Sequence, residues 1–236
     1  MNPIKAALAN GQTALSEFQS KQLLGSMSIP VTREILTQTA DDAIAAAEQI
    51  GYPVVLKACA WELMHKSELE CIELNLTTPE AVRKAHNRIC EKINTPLKGI
   101  LPLEGVLVQE MVTGQRELVV GLSRNPQFGA CVMLGFGGIM TEVIRDTVFR
   151  VAPFDGVEAL DMIQDLKTKQ MFAAFRGQKP ADLTSLCQIL MAVGRLGLSE
   201  PSISEIDINP LIISPDGTIK AVDALIIFRT LDLGNA

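Results

Sequence analysis

The chain has 236 residues, of which 47% are hydrophobic and 20% charged, a composition ordinary for a folded protein of one large domain or two smaller ones. Its net charge of -6 argues against bulk electrostatic attraction to nucleic acid or anionic lipid, although a local basic site for phosphates remains compatible with it. No run reaches about 18 consecutive apolar residues, so no membrane span is expected. The N-terminus resembles neither a signal peptide nor an anchor.

The cysteines of the chain lie far apart and form no Cys-x-x-Cys pair. An odd number without such a spacing favours buried small hydrophobic side chains in a reducing compartment. We therefore expect a cytoplasmic protein. The residues concerned are Cys59, Cys71, Cys90, Cys131 and Cys187.

The first half of the chain alternates helical and extended patterns. Thr39 is a good N-cap for one helix, which Gly51 ends, and Pro79 suits the first turn of another. In chain order we predict a loose arm (1–13), a helix (15–27), a strand (33–37), a helix (40–50), a strand (54–58), a loop (59–70), a strand (71–76) and a helix (79–93).

The second half is richer in strands. The segment 94–104 contains two prolines and a glycine and predicts an internal boundary. Beyond it we predict strands at 105–111, 117–122 and 130–134, helices at 157–175 and 180–198, and strands at 204–208, 211–213 and 219–225. The connections at Asn209-Pro210 and 215–217 are too short for a parallel crossover. The sequence therefore predicts an α+β or α/β fold with antiparallel character and argues against a Rossmann fold.

Two places in the first half of the chain hold basic residues that packing alone does not explain. Lys57 interrupts an apolar strand, either as an edge charge that reaches solvent or as an ammonium aimed at phosphate oxygens. His65 and Lys66 lie in an irregular stretch, where the histidine is either an inert loop residue or a carrier of a phosphoryl group on a ring nitrogen. His86, in the middle of a predicted helix, is expected at the surface.

A glycine-rich turn and an acidic strand complete the candidates. The turn at 135–142 is either a tight hairpin or a backbone surface that approaches phosphates, and it is not a Walker A sequence. On the strand near the C-terminus, alternation places Glu205, Asp207 and Asn209 on one face, and Asp223 follows on the last strand. This face is either solvated or a set of oxygen ligands for Mg2+. Together the four places suggest Mg-nucleotide phosphoryl transfer.

Several motifs between about residues 15 and 228 resemble the ATP-grasp subunit of NDP-forming acyl-CoA synthetases, the acetate-CoA ligase (ADP-forming) group. The chain is more distantly similar to the succinyl-CoA synthetase β subunit. The matching segments are 15–23, the strand 54–58, the His-Lys-Ser-Glu motif 65–68, the hinge 108–111, the segment 116–118, the glycine turn 135–142, the strand 149–153, the segments 175–177 and 180–182, the motif 207–210, and Asp223.

The resemblance implies an ATP-grasp fold of two subdomains with the nucleotide between them. It divides the chain into an N-terminal arm and helix (1–28), a lid (29–104) and a body that holds the Mg-nucleotide (105–236). The implied catalytic residues are His65, Lys66 and Arg150, with Arg150 and Lys57 neutralising phosphate charge. The implied nucleotide-binding residues are Lys57, Gln109, Glu110, Glu117, Gly137 and Gly138, and the implied Mg2+ ligands are Asn209, Asp223 and Asp207.

The implied reaction is acyl-CoA + ADP + phosphate in exchange with acid + ATP + CoA. A separate CoA-binding α subunit would supply the phosphoryl group, and a heterotetramer would be the assembly. One departure is that the family continues its histidine motif with Gly-Gly, whereas this chain has Glu70-Cys71. That departure motivates an alternative, a degenerate subunit that binds nucleotide as a regulator or scaffold. A third hypothesis is a ligase that acts alone through an acyl-phosphate.

Overall fold

The computed structural model describes residues 3–61, 71–93, 103–138 and 146–229. Its helices are α1 (Pro3–Ala9), α2 (Glu17–Ser26), α3 (Ala40–Ile50), α4 (Pro79–Ile93), α5 (Gly156–Asp165) and α6 (Leu183–Ser199), with a 3-10 turn at Lys169–Phe172. Its strands are β1 (Ala14–Leu15), β2 (Glu34–Thr37), β3 (Val54–Cys59), β4 (Ile72–Leu76), β5 (Gly105–Glu110), β6 (Arg116–Asn125), β7 (Gly129–Phe136), β8 (Thr147–Val151), β9 (Ile203–Ile213), β10 (Ile219–Ala221) and β11 (Ala224–Phe228). No described helix has the length and apolar character needed to cross a membrane.

The chain divides into two compact units. The larger unit comprises Met1–Leu15, Ser20–Val31 and Thr113–Ala236, and the smaller comprises Ser16–Gln19 and Thr32–Val112. Every described strand pair in both units is antiparallel, as the sequence predicts. The smaller unit includes β5, because that strand pairs with β2 and β3. The division implied by the resemblance instead begins the body at residue 105.

The larger unit is built on a sheet of order β1-β11-β9-β6-β7-β8, with β10 pairing β9. Alternate residues of the central strands, among them Leu118, Leu122 and Ile208, are buried in one core with residues of α5 and α6. We call this side the core face. We call the opposite side, which carries Glu117, Asp207 and Asn209, the carboxylate face. The assignment follows from pairing, because Gly121, on the same side of β6 as Glu117, lies directly opposite Asp207.

The smaller unit is a sheet of order β2-β5-β3-β4 with α3 and α4 packed on one face. Helix α3 begins and ends where the sequence predicts, since the Thr39 side chain accepts a hydrogen bond from the Asp42 backbone N–H and Gly51 adopts φ +95° at the other end. The buried residues of α4 include Val82, His86 and Ile89. His86 is only 6% exposed, so its predicted surface position is wrong: it lies four residues after Val82, on the helical stripe that faces the core.

Three predicted boundaries are also wrong. The N-terminal segment predicted as an arm contains α1, whose Ile4 and Ala7 are buried one turn apart. The predicted helix 157–175 ends at Asp165, because the Asp146 carboxylate accepts hydrogen bonds from the backbone N–H groups of Lys167 and Thr168 that a longer helix would use internally. The predicted strands 204–208 and 211–213 are one strand, β9.

The C-terminal strands also correct the predicted connections. Asn209-Pro210 joins no hairpin but lies within β9, where the Pro210 carbonyl accepts a hydrogen bond from the Val222 N–H. The predicted last strand divides into β10 and β11, with Asp223 between them. The turn around Asp216 does connect two antiparallel strands, β9 and β10, as predicted.

Candidate functional site

The smaller unit buries Lys57 together with a carboxylate. Lys57 is in the middle of β3, flanked by β4 and β5, and its side chain lies on the sheet face opposite α3 and α4. It is 4% exposed, and its Nζ donates to the Glu17 Oε1 at 2.7 Å. Glu17, in the first turn of α2, is 2% exposed. The structure therefore rejects the edge-charge interpretation of Lys57, because its ammonium is in the interior and paired.

Two other predicted nucleotide-binding residues lie on β5. Gln109 is buried and pairs with Val55, two residues from Lys57 on the same face of the sheet, so the structure brings Gln109 and Lys57 together. Glu110 ends the strand, where its carboxylate accepts hydrogen bonds from the backbone N–H and the Nε of Arg33, at 3.0 and 2.9 Å. Glu110 thus has a partner of its own within the smaller unit.

In the larger unit, Glu117 lies against the glycine turn. The Gly137 N–H donates to the Glu117 carbonyl at 2.7 Å. A Cβ at Gly137 would come within 3.3 Å of the Glu117 Cβ, and one at Gly138, where φ is +76°, within 3.4 Å of the Glu117 Oε2. The backbone conformation at Gly138 therefore favours glycine, whereas at Gly137 a Cβ would contact Glu117 tightly. The structure thus brings together three of the six predicted nucleotide-binding residues.

The predicted metal ligands converge on the carboxylate face. The Asn209 N–H donates to the Asp223 carbonyl at 3.2 Å, which places these residues side by side at the end of the ladder. The pKa of Asp207 is raised, first because the surrounding protein desolvates its carboxyl and then because Asp223 and Glu205 bring like charges near it. A cation would relieve this repulsion.

The donor set fits Mg2+. Carboxylate and amide oxygens are its preferred protein ligands, and Mg2+ commonly takes only one or two carboxylates and completes its shell with water and substrate phosphates. Among the described parts of the chain, no group of three or more His, Cys, Asp or Glu side chains is arranged to hold a metal by itself. The face therefore offers oxygen ligands of the type that Mg2+ prefers.

Arg150 is not brought to this face. It lies on β8 opposite Val132, whose side chain is in the core, so Arg150 projects from the core face at the edge of the sheet. Its Nη2 donates to the Asp165 carboxylate at 2.5 Å at the end of α5, and its Nη1 donates to the Phe149 carbonyl. The two remaining predicted catalytic residues, His65 and Lys66, lie outside the described residues, as does Glu70.

Cys71, which stands where the family motif has its second glycine, lies within the residues that the structure describes. It is buried among the apolar residues of the smaller unit, and its carbonyl accepts a hydrogen bond from the Ala58 N–H. Burial raises the pKa of its thiol, which disfavours the reactive thiolate. Cys71 therefore belongs to the core of the sheet, and only Glu70 remains as an unexplained substitution.

Sequence reasoning missed several buried charged residues, among them Glu17, Lys21 and Arg116. Glu17 follows Ser16, and the motif Ser16-x-x-Gln19 is a capping box that would have located the start of α2 and shown that Glu17 is in its first turn. Lys21, on the same helix, is also buried and donates to the Val222 carbonyl, next to Asp223. Arg116 donates to the carbonyls of four residues; no local pattern indicates this role. The acceptors are Met171, Ala173, Lys179 and Ser214.

Comparison with known families agrees with this architecture. Residues 6–228 match the family model described as an ATP-grasp domain, so the chain belongs to the ATP-grasp family.

Within that family the resemblance is specific. The chain is 35% identical over 228 residues to the acetate–CoA ligase [ADP-forming] II subunit beta of Pyrococcus furiosus, with 96% of each chain covered. It is more distantly similar, at 28% identity over 93% of its length, to the succinate–CoA ligase [ADP-forming] subunit beta of Natronomonas pharaonis, of which it covers 58%.

Solved structures show the same likeness. The dinucleotide forming acetyl-coenzyme A synthetase 1 of Ca. Korarchaeum cryptofilum, in complex with coenzyme A and Ca-AMPCP, superposes with a TM-score of 0.90 at 39% identity, covering 96% of this chain and 98% of that chain. The same synthetase with a phosphorylated phosphohistidine segment superposes with a TM-score of 0.86 at 38% identity, over the same 96% and 98%.

Proposed function

We propose that this chain is the nucleotide-binding subunit of an ADP-forming acyl-CoA synthetase, a ligase that exchanges acyl-CoA, ADP and phosphate with acid, ATP and CoA. The observation that carries the proposal is the match to an acetate–CoA ligase β subunit, which covers 96% of both chains. The convergence of Glu117, Gly137 and Gly138 and of Asp207, Asn209 and Asp223 supports it independently.

In this proposal His65 receives a phosphoryl group and passes it to ADP. The N–P bond to the imidazole breaks as a P–O bond forms to the β-phosphate, and the ring nitrogen recovers its lone pair. Lys57 and Gln109 orient phosphate groups, and Glu117 binds ribose hydroxyls. Asn209 and Asp223, with Asp207 beside them, would hold Mg2+, which supplies charge neutralisation of the phosphate oxygens when bound.

Phosphoryl labelling tests the proposal. The full-length chain, with Mg2+ and γ-labelled ATP, is expected to acquire acid-labile, base-stable label, and His65→Ala is expected to lose it. His86→Gln is the matched control, because His86 is the other histidine of the chain and lies buried in α4, which packs on the sheet face opposite Lys57 and Gln109. Equal labelling of wild type and His65→Ala would exclude a phosphohistidine at this position and favour a ligase that acts through an acyl-phosphate.

A partner follows from the same reasoning. A β subunit of this class works with a CoA-binding α subunit, and we propose a heterotetramer in the cytoplasm. None of the five cysteines, all of which are described, is in a disulfide bond, the state that a reducing compartment maintains. Acyl-CoA formation that needs a second, CoA-binding chain would support the partner, whereas full synthetase activity of the isolated chain would contradict it.

The degenerate-subunit alternative loses part of its basis. Cys71 occupies a core position in β-sheet pairing rather than a place where bare backbone would meet phosphate. Glu70→Gly alone therefore tests the departure. Unchanged turnover in this variant would show that the chain accommodates Glu70, and a large gain would show that Glu70 impairs the site.

A further inference from the structure

Glu17 is a buried carboxylate to which the motifs assign no role. Its carboxylate pairs with the Lys57 ammonium at 2.7 Å, with both residues almost completely removed from solvent. Removing two charges from water is unfavourable unless they are paired in good geometry. Each charge of this pair therefore depends on the other for its place in the interior.

The backbone of Glu17 is fixed from several directions. The Ser16 N–H donates to the Gln19 Oε1 at 3.1 Å and the Gln19 N–H to the Ser16 Oγ at 3.4 Å, a reciprocal capping box. The Ser16 Oγ also donates to the Glu104 carboxylate at 2.8 Å. The Glu17 carboxylate thus extends from an anchored first turn, where the positive end of the helix favours an anion.

The backbone of Lys57 is held by strand pairing. Strand β3 is paired on both sides, which fixes its Cα, but four methylene groups separate the Cα from the ammonium and carry large rotamer entropy. The bond to Glu17 restricts the position of the Nζ. An ammonium has three N–H donors, so a bond to Glu17 does not by itself exclude donation to phosphate oxygens.

We propose that Glu17 is a positioning residue for nucleotide binding: its carboxylate holds the charged Lys57 ammonium at the place where it meets the phosphates of ADP. This inference rests on the proposed function, in which Lys57 contacts phosphate. Preorganised charges bind developing or fixed negative charge more strongly than charges that must first be ordered. Loss of the Glu17 charge is therefore expected to weaken binding of the phosphates and to leave binding of the nucleoside unchanged.

Calorimetric titration of the full-length chain tests this with two ligands, Mg-ADP and adenosine. Glu17→Gln keeps the shape and removes the charge, and it is expected to raise the Kd of ADP by about tenfold, the loss typical of one weakened charge-assisted bond, with the Kd of adenosine changed less than about twofold. Glu17→Asp retains the charge and is expected to bind ADP more tightly than Glu17→Gln. Glu73→Gln is the control, since it removes a carboxylate from an ion pair with Arg88 of similar length in the same unit.

The double mutant decides whether Glu17 acts through Lys57. In a Lys57→Met background, Glu17→Gln is expected to cause no further loss of ADP affinity, because the group it positions is already gone. Thermal unfolding of each variant confirms that the titrated protein is folded. If Glu17→Gln does not fold, the comparison of Lys57→Met with the double mutant, and of wild type with Glu17→Asp, decides the question.

Three results would overturn the inference, and each has a distinct meaning. Wild-type affinity for ADP in Glu17→Gln, together with weak binding in Lys57→Met, would reduce Glu17 to a structural partner. Equal losses for ADP and adenosine would show a general disturbance of the unit. Unchanged ADP binding in Lys57→Met would remove Lys57 from the phosphate site. Failure of the wild-type chain to bind ADP at all would instead contradict the proposed function on which the inference depends.

Discussion

The two units differ in how their charged side chains are arranged: one buries a pair of opposite charges, and the other gathers like charges. In the smaller unit, Lys57 and Glu17 form a buried ion pair in which opposite charges face each other inside the protein. In the larger unit, the carboxylate face gathers acidic groups whose mutual repulsion, after desolvation, raises the pKa of Asp207. The smaller unit thus has its charges balanced by folding, whereas the larger keeps an excess of negative charge that a cation would balance.

This difference predicts whether a substitution at each place first lowers the stability of the protein or its affinity for a ligand. A buried, preorganised pair must be assembled by folding, so its loss should appear first as a loss of stability. A cluster of like charges strains the free protein slightly and is relieved on binding, so its loss should appear first in metal and nucleotide affinity. Substitutions at the two places separate these cases.

The largest expected effect is at Lys57. Lys57→Met leaves the Glu17 carboxylate buried opposite an apolar side chain, and we expect it to lower the free energy of unfolding by about 3–5 kcal/mol, the usual penalty for breaking a buried pair. Urea denaturation measures it. The double mutant with Glu17→Gln removes the isolated charge and should recover part of the loss. A loss below about 1 kcal/mol, typical of exposed pairs, would contradict a buried pair.

The second effect is at Asp146, a buried carboxylate of the larger unit. Burial would raise its pKa, but hydrogen bonds from the Thr168 side chain and from the backbone of Thr168 and Lys167 lower it overall. Asp146→Asn replaces an acceptor-only carboxylate by an amide that cannot accept all these bonds, and we expect it to be destabilising by about 1–3 kcal/mol at neutral pH.

The pH dependence of Asp146 has a definite sign. Because the folded pKa lies below the unfolded one, its contribution to stability is present above the ordinary aspartate pKa and is lost as pH falls through the folded value. The stability difference between wild type and Asp146→Asn should therefore shrink on acidification, as measured by urea denaturation at several pH values. Asp155→Asn, at an exposed helix cap, is the control. A difference that grows toward low pH would contradict the assignment.

The fold was predictable wherever local signals and tertiary contacts agree. Helix α3 has both its caps in the sequence, and α4 has a proline at its start. Prediction was wrong where a distant residue competes with a local preference. Asp146 ends α5 by taking the backbone donors of Lys167 and Thr168, and it is about twenty residues away in sequence. Nothing in the residues 157–175 indicates that competitor.

The site was predictable for a similar reason. Asp207 and Asn209 share a face by simple alternation, and the glycines beside Glu117 follow a strand, so local pattern was enough. Glu17 was missed because its partner, Lys57, is 40 residues away in sequence. A carboxylate in the first turn of a helix is also ordinary and gives no signal by itself. Arg150 was assigned from resemblance, and only pairing with Val132 shows on which face it lies.

Arg150 provides the third test, in which stability and binding point to different roles. Its partner Asp165 is more exposed than Arg150 itself, so the pair contributes only about 0–1 kcal/mol, and Arg150→Met should be destabilising by no more than that. We expect the Kd of Mg-ADP to be unchanged by titration calorimetry. A loss of about tenfold or more in ADP affinity would restore the predicted role of Arg150 at the phosphates.

The smallest effect is at Asp207, and its sign is opposite to the others. Because its folded pKa is raised, ionisation of Asp207 opposes folding: the penalty is absent below the ordinary aspartate pKa and complete once pH has risen through the folded value. Without Mg2+ at neutral pH, Asp207→Asn should therefore raise the free energy of unfolding, by only about a few tenths of a kcal/mol because exposed charges are screened by solvent. The melting temperature in EDTA measures this.

Added Mg-ADP should reverse the order of the two proteins. Wild type gains stability in proportion to its affinity for the ligand, whereas Asp207→Asn, with one ionic oxygen donor fewer on the carboxylate face, gains less. Glu205→Gln, on the same strand, is the control that removes a like charge without removing a predicted ligand. A variant that is less stable than wild type in EDTA would show that the Asp207 carboxylate is held by contacts within the protein. The carboxylate face would then be balanced by folding, as Lys57 and Glu17 are, and the distinction between the two units would not hold.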